Sequence, residues 1–509
     1  MTTPSDHRIP IRLLAFVLAL TALRLVLAVA IHPTEDEAYY RLWAAGLQAG
    51  YYDHPPMIAW WIGLGQIIAG DTPLGLRLIP VLASAVVTLL VFDLAKRLGL
   101  SIQSAERASV WYSATLLAGL GANIATPDSA ATLFWICTAC CLIRTEDEGG
   151  ESWWIAVGVS AGLACLSKYS ALFLAPGAVG WLLWRYGPNG LLRPWPWAAA
   201  LIAAAVFSPN ILWNAANGWE AFSKQFGRVA ATHFRPSLLV EFLVSEALLL
   251  NPLITPFAVA GLIGAFRKGD GRGRNPLLPL IFLSVPFAAY LCLHSLHDRV
   301  QAHWPTPLFP GLAICAAYAA ERAKKPLALM ARAAAAPIGL GLTLLALAHM
   351  ALPITDHLGG KDPVLALRNW PQFDAQVDAM RVAHGAAWVG GLSYGTTAQM
   401  QVDKGIHAPV LQVSERHRYP AVGRSWSADM TRPGLLIDLL RRMEPSDLKR
   451  CFASVTFVGE IDRDPDLGSY DRYGAYLVSG PLMDVLHAGC WESKSIVDDA
   501  LKFNARAGN

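Results

Sequence analysis

Long apolar runs alternate with short polar segments over the first 352 residues of the chain. A helix needs about 20 mostly apolar residues to cross a bilayer, and the runs predict eleven such helices. The candidate spans are residues 12–31, 74–95, 108–124, 128–143, 153–167, 169–184, 196–213, 243–265, 277–294, 304–320 and 327–352. The shorter run 57–70 predicts an interfacial or half-buried helix, or part of a bent span. This part of the chain is expected to be an all-α polytopic membrane domain.

The pattern changes after residue 352. Helix-like spacing in DPVLALRNWPQFDAQVDAMRV is followed by short alternating runs such as VTFVGEI and YGAYLV. A mixture of these two periodicities is typical of a compact α/β domain. We therefore expect a transmembrane domain over residues 1–352 and a soluble α/β domain over residues 353–509.

Composition agrees with this division. The 509 residues are 54% hydrophobic and only 16% charged, against roughly a quarter charged in an ordinary soluble domain. The mean hydropathy is +0.37, and the charged residues are concentrated in the tail. These values exclude an entirely soluble protein. No basic run or aromatic-interleaved basic patch supports nucleic-acid binding.

The loops carry their Lys and Arg residues unevenly. If the N-terminus is cytoplasmic, most of the basic loop residues fall on the cytoplasmic side, as the positive-inside rule requires. The first span follows Arg8 and Arg12 without a small-residue cleavage site, which predicts a retained anchor. Eleven spans then place the tail outside the cytoplasm, in the periplasm for a protein of the bacterial inner membrane.

The eight cysteines fall into two groups. Cys451 and Cys490 lie in the external tail, where the compartment permits a disulfide between them. The other six lie within predicted spans, where cysteine behaves as a small apolar residue. Cys137, Cys140 and Cys141 lack partner ligands at the spacing of a metal site, so no metal is predicted.

Three consecutive carboxylates, Glu35 to Glu37, follow the first span. Uncompensated charge at a membrane surface is costly. The three carboxylates are therefore expected either to be solvated in a loop or to be part of a functional element. A dense polar and aromatic group follows and favours function: Tyr39, Tyr40, Tyr51, Tyr52, Asp53 and His54. Asp128, at the start of the fourth span, is equally well explained as a first-turn anion of a helix or as a second functional carboxylate.

Cationic residues lie on the same predicted external side: Lys168, Arg299 and His303. Each has an ordinary explanation, since a lone Lys at a membrane boundary can snorkel and Arg299 can be a loop residue. Together with the carboxylates, however, they suit the transfer of a sugar from a lipid phosphate. Cations would stabilise the departing phosphate, and a carboxylate base would accept the proton of the attacking hydroxyl.

The run TEDEAYYRLWAAGLQAGYYDHPPMIAWWI resembles the first external loop of GT-C fold glycosyltransferases. Within that fold it is similar to the bacterial group related to the protein O-mannosyltransferases and the lipid A aminoarabinose transferase. The segments SPNILWNAANGW and HWPTPLFPGLAI resemble that group as well, and the resemblance covers most of residues 1–320. Four motifs occur in the order of the family: Asp36-Glu37, Gly50 to Pro56, Thr126-Pro127-Asp128 and Ser167-Lys168-Tyr169.

The resemblance implies an inverting transfer of a hexosyl or pentosyl group from a polyprenyl-phosphate sugar, without a metal or other cofactor. The acceptor would be a lipid or saccharide of the lipid A or lipopolysaccharide type. Carried over by motif, the catalytic candidates are Asp36, Glu37 and Asp128, the donor-phosphate candidates are His54, Lys168, Arg299 and His303, and the substrate-pocket candidates are Tyr39, Tyr52 and Asp53. The lipid A transferase has Lys where this chain has His54, and a neutral imidazole would be a weaker phosphate ligand.

Other interpretations stay open at this point. A protein O-glycosyltransferase would differ only in its acceptor. A transporter or flippase of lipid-linked sugar would show related halves and midplane charges, and the sequence has no obvious halves. A sensor or scaffold would leave the Glu35–His54 loop unexplained. In the tail, the cluster of Glu415, Arg416, His417 and Arg418 is either a solvated turn or a contact with an anionic acceptor.

Overall fold

The computed structural model describes residues 8–146, 150–227, 234–266, 275–352, 362–413, 418, 429–463 and 472–482. The helices within them are α1 (Ile11–Ala30), α2 (Glu35–Ala44), α3 (Met57–Ala69), α4 (Pro73–Arg97), α5 (Ile102–Ser113), α6 (Leu116–Gly121), α7 (Pro127–Arg144), α8 (Trp153–Ser167), α9 (Leu174–Tyr186), α10 (Pro194–Ala216), α11 (Glu220–Gly227), α12 (Pro236–Leu249), α13 (Thr255–Ala265), α14 (Leu278–His294), α15 (Phe309–Glu321), α16 (Pro326–Ala351), α17 (Trp370–Ala383), α18 (Tyr394–Gln399) and α19 (Pro445–Cys451). The strands are β1 (Trp388–Gly391), β2 (Val410–Gln412), β3 (Gly434–Leu439), β4 (Phe452–Asp462) and β5 (Arg472–Pro481).

Most predicted spans fall on helices, because an uninterrupted apolar run satisfies its backbone most simply as a helix. Among the described residues, four helices are long and apolar enough to cross a membrane: α1, α4, α10 and α16. Large apolar side chains on them are exposed, as Leu201 and Leu345 illustrate, and such a surface suits contact with lipid. The chain is therefore a mostly helical membrane protein, as predicted. The other described helices are shorter than these four, and α7, with 18 residues, is the longest of them.

Two predicted spans are interrupted. The run 108–124 is divided between α5 and α6, and the run 243–265 is divided between α12 and α13. Asn251 has a left-handed φ of 86° at the second break, and its side-chain amide donates to the carbonyl of Ala335 at 2.9 Å. Helix α16 also approaches the first break, where a Cβ on Gly339 would lie 2.1 Å from the Ala114 carbonyl oxygen. These contacts between distant parts of the sequence interrupt the runs.

The chain separates into two compact units. One contains Met1–Val29 and Asp53–Leu347, and the other contains Ala30–Tyr52 and Ala348–Asn509. We call them the helical unit and the mixed unit. Residues 30–52, most of the predicted first external loop, thus group with the tail rather than with the helices that flank them in sequence.

The mixed unit contains a five-stranded sheet with the order β2-β1-β3-β5-β4. Strand β1 pairs in parallel with β2 and β3, and β5 pairs antiparallel with β3 and β4. All six residues of β3 are buried, as expected for a strand covered on both faces. Leu436 packs in one apolar cluster with Leu448 of α19, and Leu435 packs in another with Phe373 of α17. The predicted small α/β fold of the tail is thus present.

Close packing of small residues in the helical unit positions helix α8 against its neighbours. Helix α8 lies against α10, where a Cβ on Gly158 or Gly162 would come within 2.8 Å of Ala199, Ala203 or Val206. The same helix packs on α7 through a hydrogen bond of 3.0 Å between the hydroxyls of Thr138 and Ser160. The first turn of α7 and the last turn of α8 therefore meet.

Candidate active site

A polar cluster of the helical unit forms where α7 begins and α8 ends. Asp128 lies in the first turn of α7, and Lys168 follows α8 in an extended conformation. The Lys168 ammonium nitrogen is 2.6 Å from Asp128 Oδ1, and the two side chains are only 11% and 6% exposed. Asp128 therefore serves both as a first-turn anion and as one half of a nearly buried ion pair.

His54, His303 and a second ion pair also belong to the helical unit. The ring nitrogen Nε2 of His303 lies 3.8 Å from Asp128 Oδ2. Asp53 forms an ion pair with Lys224 of α11, and the neighbouring Gln225 side chain donates to the Asp53 carbonyl at 2.7 Å. Lys224 was not among the residues predicted from the sequence, because a single Lys in a long polar segment carries no motif.

The electrostatic environment keeps the histidines neutral. Desolvation lowers the pKa of the His54 imidazole to about 3, and the ammonium of Lys168 acts in the same direction, against the carboxylates of Asp53 and Asp128. Desolvation also lowers the pKa of His303. At neutral pH neither His54 nor His303 therefore adds a positive charge to this set. His54 can act as a hydrogen-bonding group at this position, but not as a cation.

Arg299, the remaining predicted phosphate ligand, has a different partner. Its guanidinium pairs with Glu241 of α12, with Nε 3.3 Å from Oε1. Its backbone N–H also donates to the carboxylate of Asp298 at 2.7 Å. The structure thus places Arg299 in an ion pair on α12, whereas His303 lies beside Asp128.

The mixed unit contains the acidic run Glu35 to Glu37. Thr34 caps helix α2, and its hydroxyl accepts a hydrogen bond from the Glu37 N–H at 3.2 Å. The Glu37 carboxylate accepts from the Thr34 N–H at 2.9 Å and is fully buried. This reciprocal pair is a capping box. The Glu37 carboxylate thus helps to begin helix α2. The sequence signal of this capping box is the T-x-x-E spacing of Thr34 and Glu37.

Asp36 contacts a residue from the distant tail. The Tyr394 hydroxyl donates a hydrogen bond to Asp36 Oδ1 at 3.1 Å. The ring of the predicted pocket residue Tyr39 packs at a tilt against that of Tyr394, at 4.7 Å between ring centroids, and its hydroxyl donates to the carbonyl of Arg418 at 2.8 Å. The guanidinium of Arg418 lies 5.3 Å from the ring of Tyr52. Arg418 is the one described residue of the predicted tail cluster, while Glu415, Arg416 and His417 lie outside the described residues.

One of the two cysteines of the predicted disulfide lies within the described residues. Cys451 is disulfide-bonded, whereas its predicted partner Cys490 lies outside the described residues. The six cysteines of the predicted spans are free. Within the described part of the chain, no group of three or more His, Cys, Asp or Glu residues could hold a metal ion.

Comparison with known proteins gives the class of the fold. Residues 53–213 match the family described as dolichyl-phosphate-mannose-protein mannosyltransferase. The crystal structure of ArnT from Cupriavidus metallidurans bound to undecaprenyl phosphate aligns with 92% of this chain and 99% of its own, at 14% identity and a TM-score of 0.63. The fold is therefore the GT-C fold predicted from the first-loop motifs.

The relatives of known function that this chain resembles are sugar transferases. The lipid A galacturonosyltransferase RgtD of Rhizobium johnstonii is 28% identical over 53% of this chain. An undecaprenyl phosphate-alpha-4-amino-4-deoxy-L-arabinose arabinosyl transferase of Pseudomonas paraeruginosa is 26% identical over 59% of it. The chain spans 56% of the length of each relative. The predicted relationship to GT-C glycosyltransferases of the protein mannosyltransferase and ArnT group is confirmed.

Proposed function

We propose that this protein transfers a sugar from a polyprenyl-phosphate donor to a lipid A or lipopolysaccharide-type acceptor, with inversion at the anomeric carbon. The observation that carries the proposal is the nearly buried ion pair of Lys168 and Asp128. Support also comes from the two curated relatives, one described as acting on lipid A and the other as using an undecaprenyl phosphate sugar. The related crystal structure is described with undecaprenyl phosphate bound.

Lys168 is the proposed ligand of the leaving phosphate. As the bond between the anomeric carbon and the phosphate oxygen breaks, the phosphate keeps the electron pair and gains negative charge. A preorganised ammonium group in a water-poor site stabilises that charge more strongly than water would. His54 and His303 would contribute neutral hydrogen bonds, and Lys224 is a second candidate cation. We retain Arg299 as a more peripheral candidate.

Asp36 is the proposed base. The acceptor hydroxyl attacks the anomeric carbon from the face opposite the phosphate, and its proton passes to the Asp36 carboxylate. Inversion follows from a single displacement. Glu37 supports this role through the capping box that begins helix α2, while Tyr39, Tyr52 and Asp53 are proposed to line substrate pockets. No cofactor is assigned to the reaction.

We propose eleven membrane crossings with a cytoplasmic N-terminus and a periplasmic tail. The distribution of Lys and Arg residues supports this orientation. The disulfide of Cys451 is also supportive, because disulfides persist in the periplasm and are rare in the cytoplasm. The domain boundary is proposed at residue 352, with the first external loop completed by the tail.

A protein acceptor is the second candidate. It is favoured by one observation, the match of residues 53–213 to the family described as a protein mannosyltransferase. A flippase remains the alternative from another class of protein.

The test compares cells with and without the gene by mass spectrometry of lipid A, lipopolysaccharide and total lipids. We expect a sugar mass to be missing from lipid A or core saccharide in the deletion strain. The wild-type gene and the control Lys96→Met should restore it, and Lys168→Met should not. A sugar missing from a protein would move the acceptor to the second candidate. If the glycans were unchanged and a lipid-linked sugar accumulated, the result would contradict the proposed glycosyltransferase activity and favour a flippase.

A further inference from the structure

Tyr394 joins the sheet-bearing part of the chain to the proposed base. Its hydroxyl donates to Asp36 Oδ1 at 3.1 Å, although the residues are 358 positions apart. Both belong to the mixed unit, and Tyr394 is the first residue of α18, the helix that follows strand β1 after a two-residue loop. A phenol with a fixed position would restrict the rotamers of the carboxylate that it contacts.

The backbone that carries Tyr394 is firmly held. The buried carboxylate of Asp438, at the end of β3, accepts hydrogen bonds from the N–H groups of Leu392 at 2.9 Å and Ser393 at 2.6 Å. The Ser393 hydroxyl then caps α18 by accepting from the Thr396 N–H at 3.2 Å. Hydrogen bonds to a charged acceptor are among the stronger ones in proteins. The loop between β1 and α18 therefore sets where the Tyr394 side chain begins.

The aromatic ring of Tyr394 is also held. Tyr39 of helix α2 packs on it at 4.7 Å between centroids, and the guanidinium carbon of Arg418 lies 4.8 Å from its centroid. Tyr39 and Arg418 are themselves joined by the hydrogen bond from the Tyr39 hydroxyl to the Arg418 carbonyl. Aromatic and cation–π contacts of this kind fix ring orientation as well as position.

Helix α2 is fixed to α18 by further polar contacts. The Gln399 amide donates to the Pro33 carbonyl at 2.8 Å and also contacts the His32 ring at 2.9 Å. A Cβ on Gly395 would lie 2.5 Å from a carboxylate oxygen of Glu35, so the two helices approach closely at this glycine. The start of α2, where Asp36 lies, is thus held in register with Tyr394.

We propose that Tyr394 is a positioning residue for sugar transfer and that the tail domain acts in the reaction through it. The phenol keeps its own proton throughout and orients the Asp36 carboxylate toward the acceptor hydroxyl, whose proton Asp36 accepts. The same hydrogen bond stabilises the ionised carboxylate. This inference rests on the proposed role of Asp36 as the base.

The test uses the full-length chain with Tyr394→Phe, which keeps the ring and removes only the hydroxyl. Tyr476→Phe is the matched control, because it makes the same chemical change on β5, where the ring packs on Phe457. Donor lipid extract and unmodified lipid A from the deletion strain serve as substrates, and undecaprenyl phosphate serves as the binding probe. Turnover, half-saturating donor concentration and the pH–rate profile are measured for each variant.

We expect Tyr394→Phe to lower turnover about ten- to a hundredfold, the effect of losing a hydrogen bond to a charged group. Donor half-saturation and undecaprenyl phosphate binding should stay unchanged. The acid limb of the profile should move to higher pH, because the ionised carboxylate has lost a donor. Tyr476→Phe should match wild type in all measurements.

Two outcomes would overturn the inference. Wild-type turnover in Tyr394→Phe would show that the hydroxyl does not assist the reaction. A loss of turnover with an unmoved acid limb, accompanied by a lower melting temperature, would reduce Tyr394 to a structural residue. Asp36→Asn is measured in the same assays. It distinguishes failure of the role inferred for Tyr394 from failure of the proposed function. If Asp36→Asn is inactive while Tyr394→Phe is fully active, only the role of Tyr394 is wrong.

Discussion

The ammonium nitrogen of Lys168 lies 2.6 Å from Asp128 Oδ1, joining the end of one helix to the start of another through a pair that is almost fully buried. Removing one partner leaves an uncompensated charge in the interior, whereas removing both does not. The pair therefore allows the stability and the chemistry of the site to be measured separately.

We expect Lys168→Met to lower the free energy of unfolding by about 3–5 kcal/mol, the usual effect of breaking a buried ion pair. The double variant Lys168→Met with Asp128→Asn should regain most of that stability and remain inactive in transfer. Thermal unfolding in detergent and the transfer assay check the two parts. If the double variant transferred sugar normally, the phosphate-binding role of Lys168 would be wrong.

Asp36→Asn should abolish transfer while expression and membrane insertion stay at wild-type levels. The amide keeps the size of the side chain but cannot accept a proton from the acceptor hydroxyl. Asp71→Asn is the matched control, since Asp71 is exposed and its carboxylate accepts from Gln66. Full activity of Asp36→Asn in membranes would remove Asp36 from the mechanism.

Substitution of Glu37 distinguishes a role in capping helix α2 from a role of its negative charge in the reaction. Gln also completes a capping box, so Glu37→Gln should transfer sugar at nearly the wild-type rate. Glu37→Ala should lower the free energy of unfolding by about 1 kcal/mol. Chemical unfolding and turnover are measured for both variants. A folded but inactive Glu37→Gln would instead assign the charge of Glu37 to the reaction.

The lowered pKa of His54, about 3 against 6.5 for an ordinary histidine, predicts a pH dependence of stability. Between these values the unfolded chain binds more protons than the folded chain, so the free energy of unfolding should rise with pH up to about 6.5. His54→Gln should weaken this dependence. Melting temperatures from pH 4.5 to 7.5 provide the test, with the exposed tail residue His384→Gln as control. Identical slopes in wild type and His54→Gln would be inconsistent with a desolvated His54.

A disulfide between Cys451 and Cys490 is expected in the native protein. Mass-tag labelling of the denatured, unreduced chain should then modify only the six cysteines that are free in the structure. Either single Ser variant should gain one tag, because it releases the partner thiol. Wild-type protein with two additional tags would show that the bridge is absent.

The sequence predicts the parts of this fold that are determined locally. The apolar run 153–167 is helix α8 to the residue, because apolar content alone decides that segment. The break at Asn251 could not be predicted, since its amide bonds to Ala335, which is 84 positions away. In the candidate site, the motifs identified Asp128 and Lys168 but not their pairing. Tyr394 carried no sequence signal because its partner Asp36 comes from the opposite end of the chain.

The grouping of residues 30–52 with the tail has a consequence for biosynthesis. Ribosomes add roughly 5–20 residues per second, so the 358 positions between Asp36 and Tyr394 correspond to a delay of about 20–70 s. During that interval the nascent chain contains the residues of helix α2 but lacks Tyr394, the partner of Asp36. A message cut short before the tail would therefore yield a chain that retains Asp36 but never acquires the hydrogen bond from Tyr394.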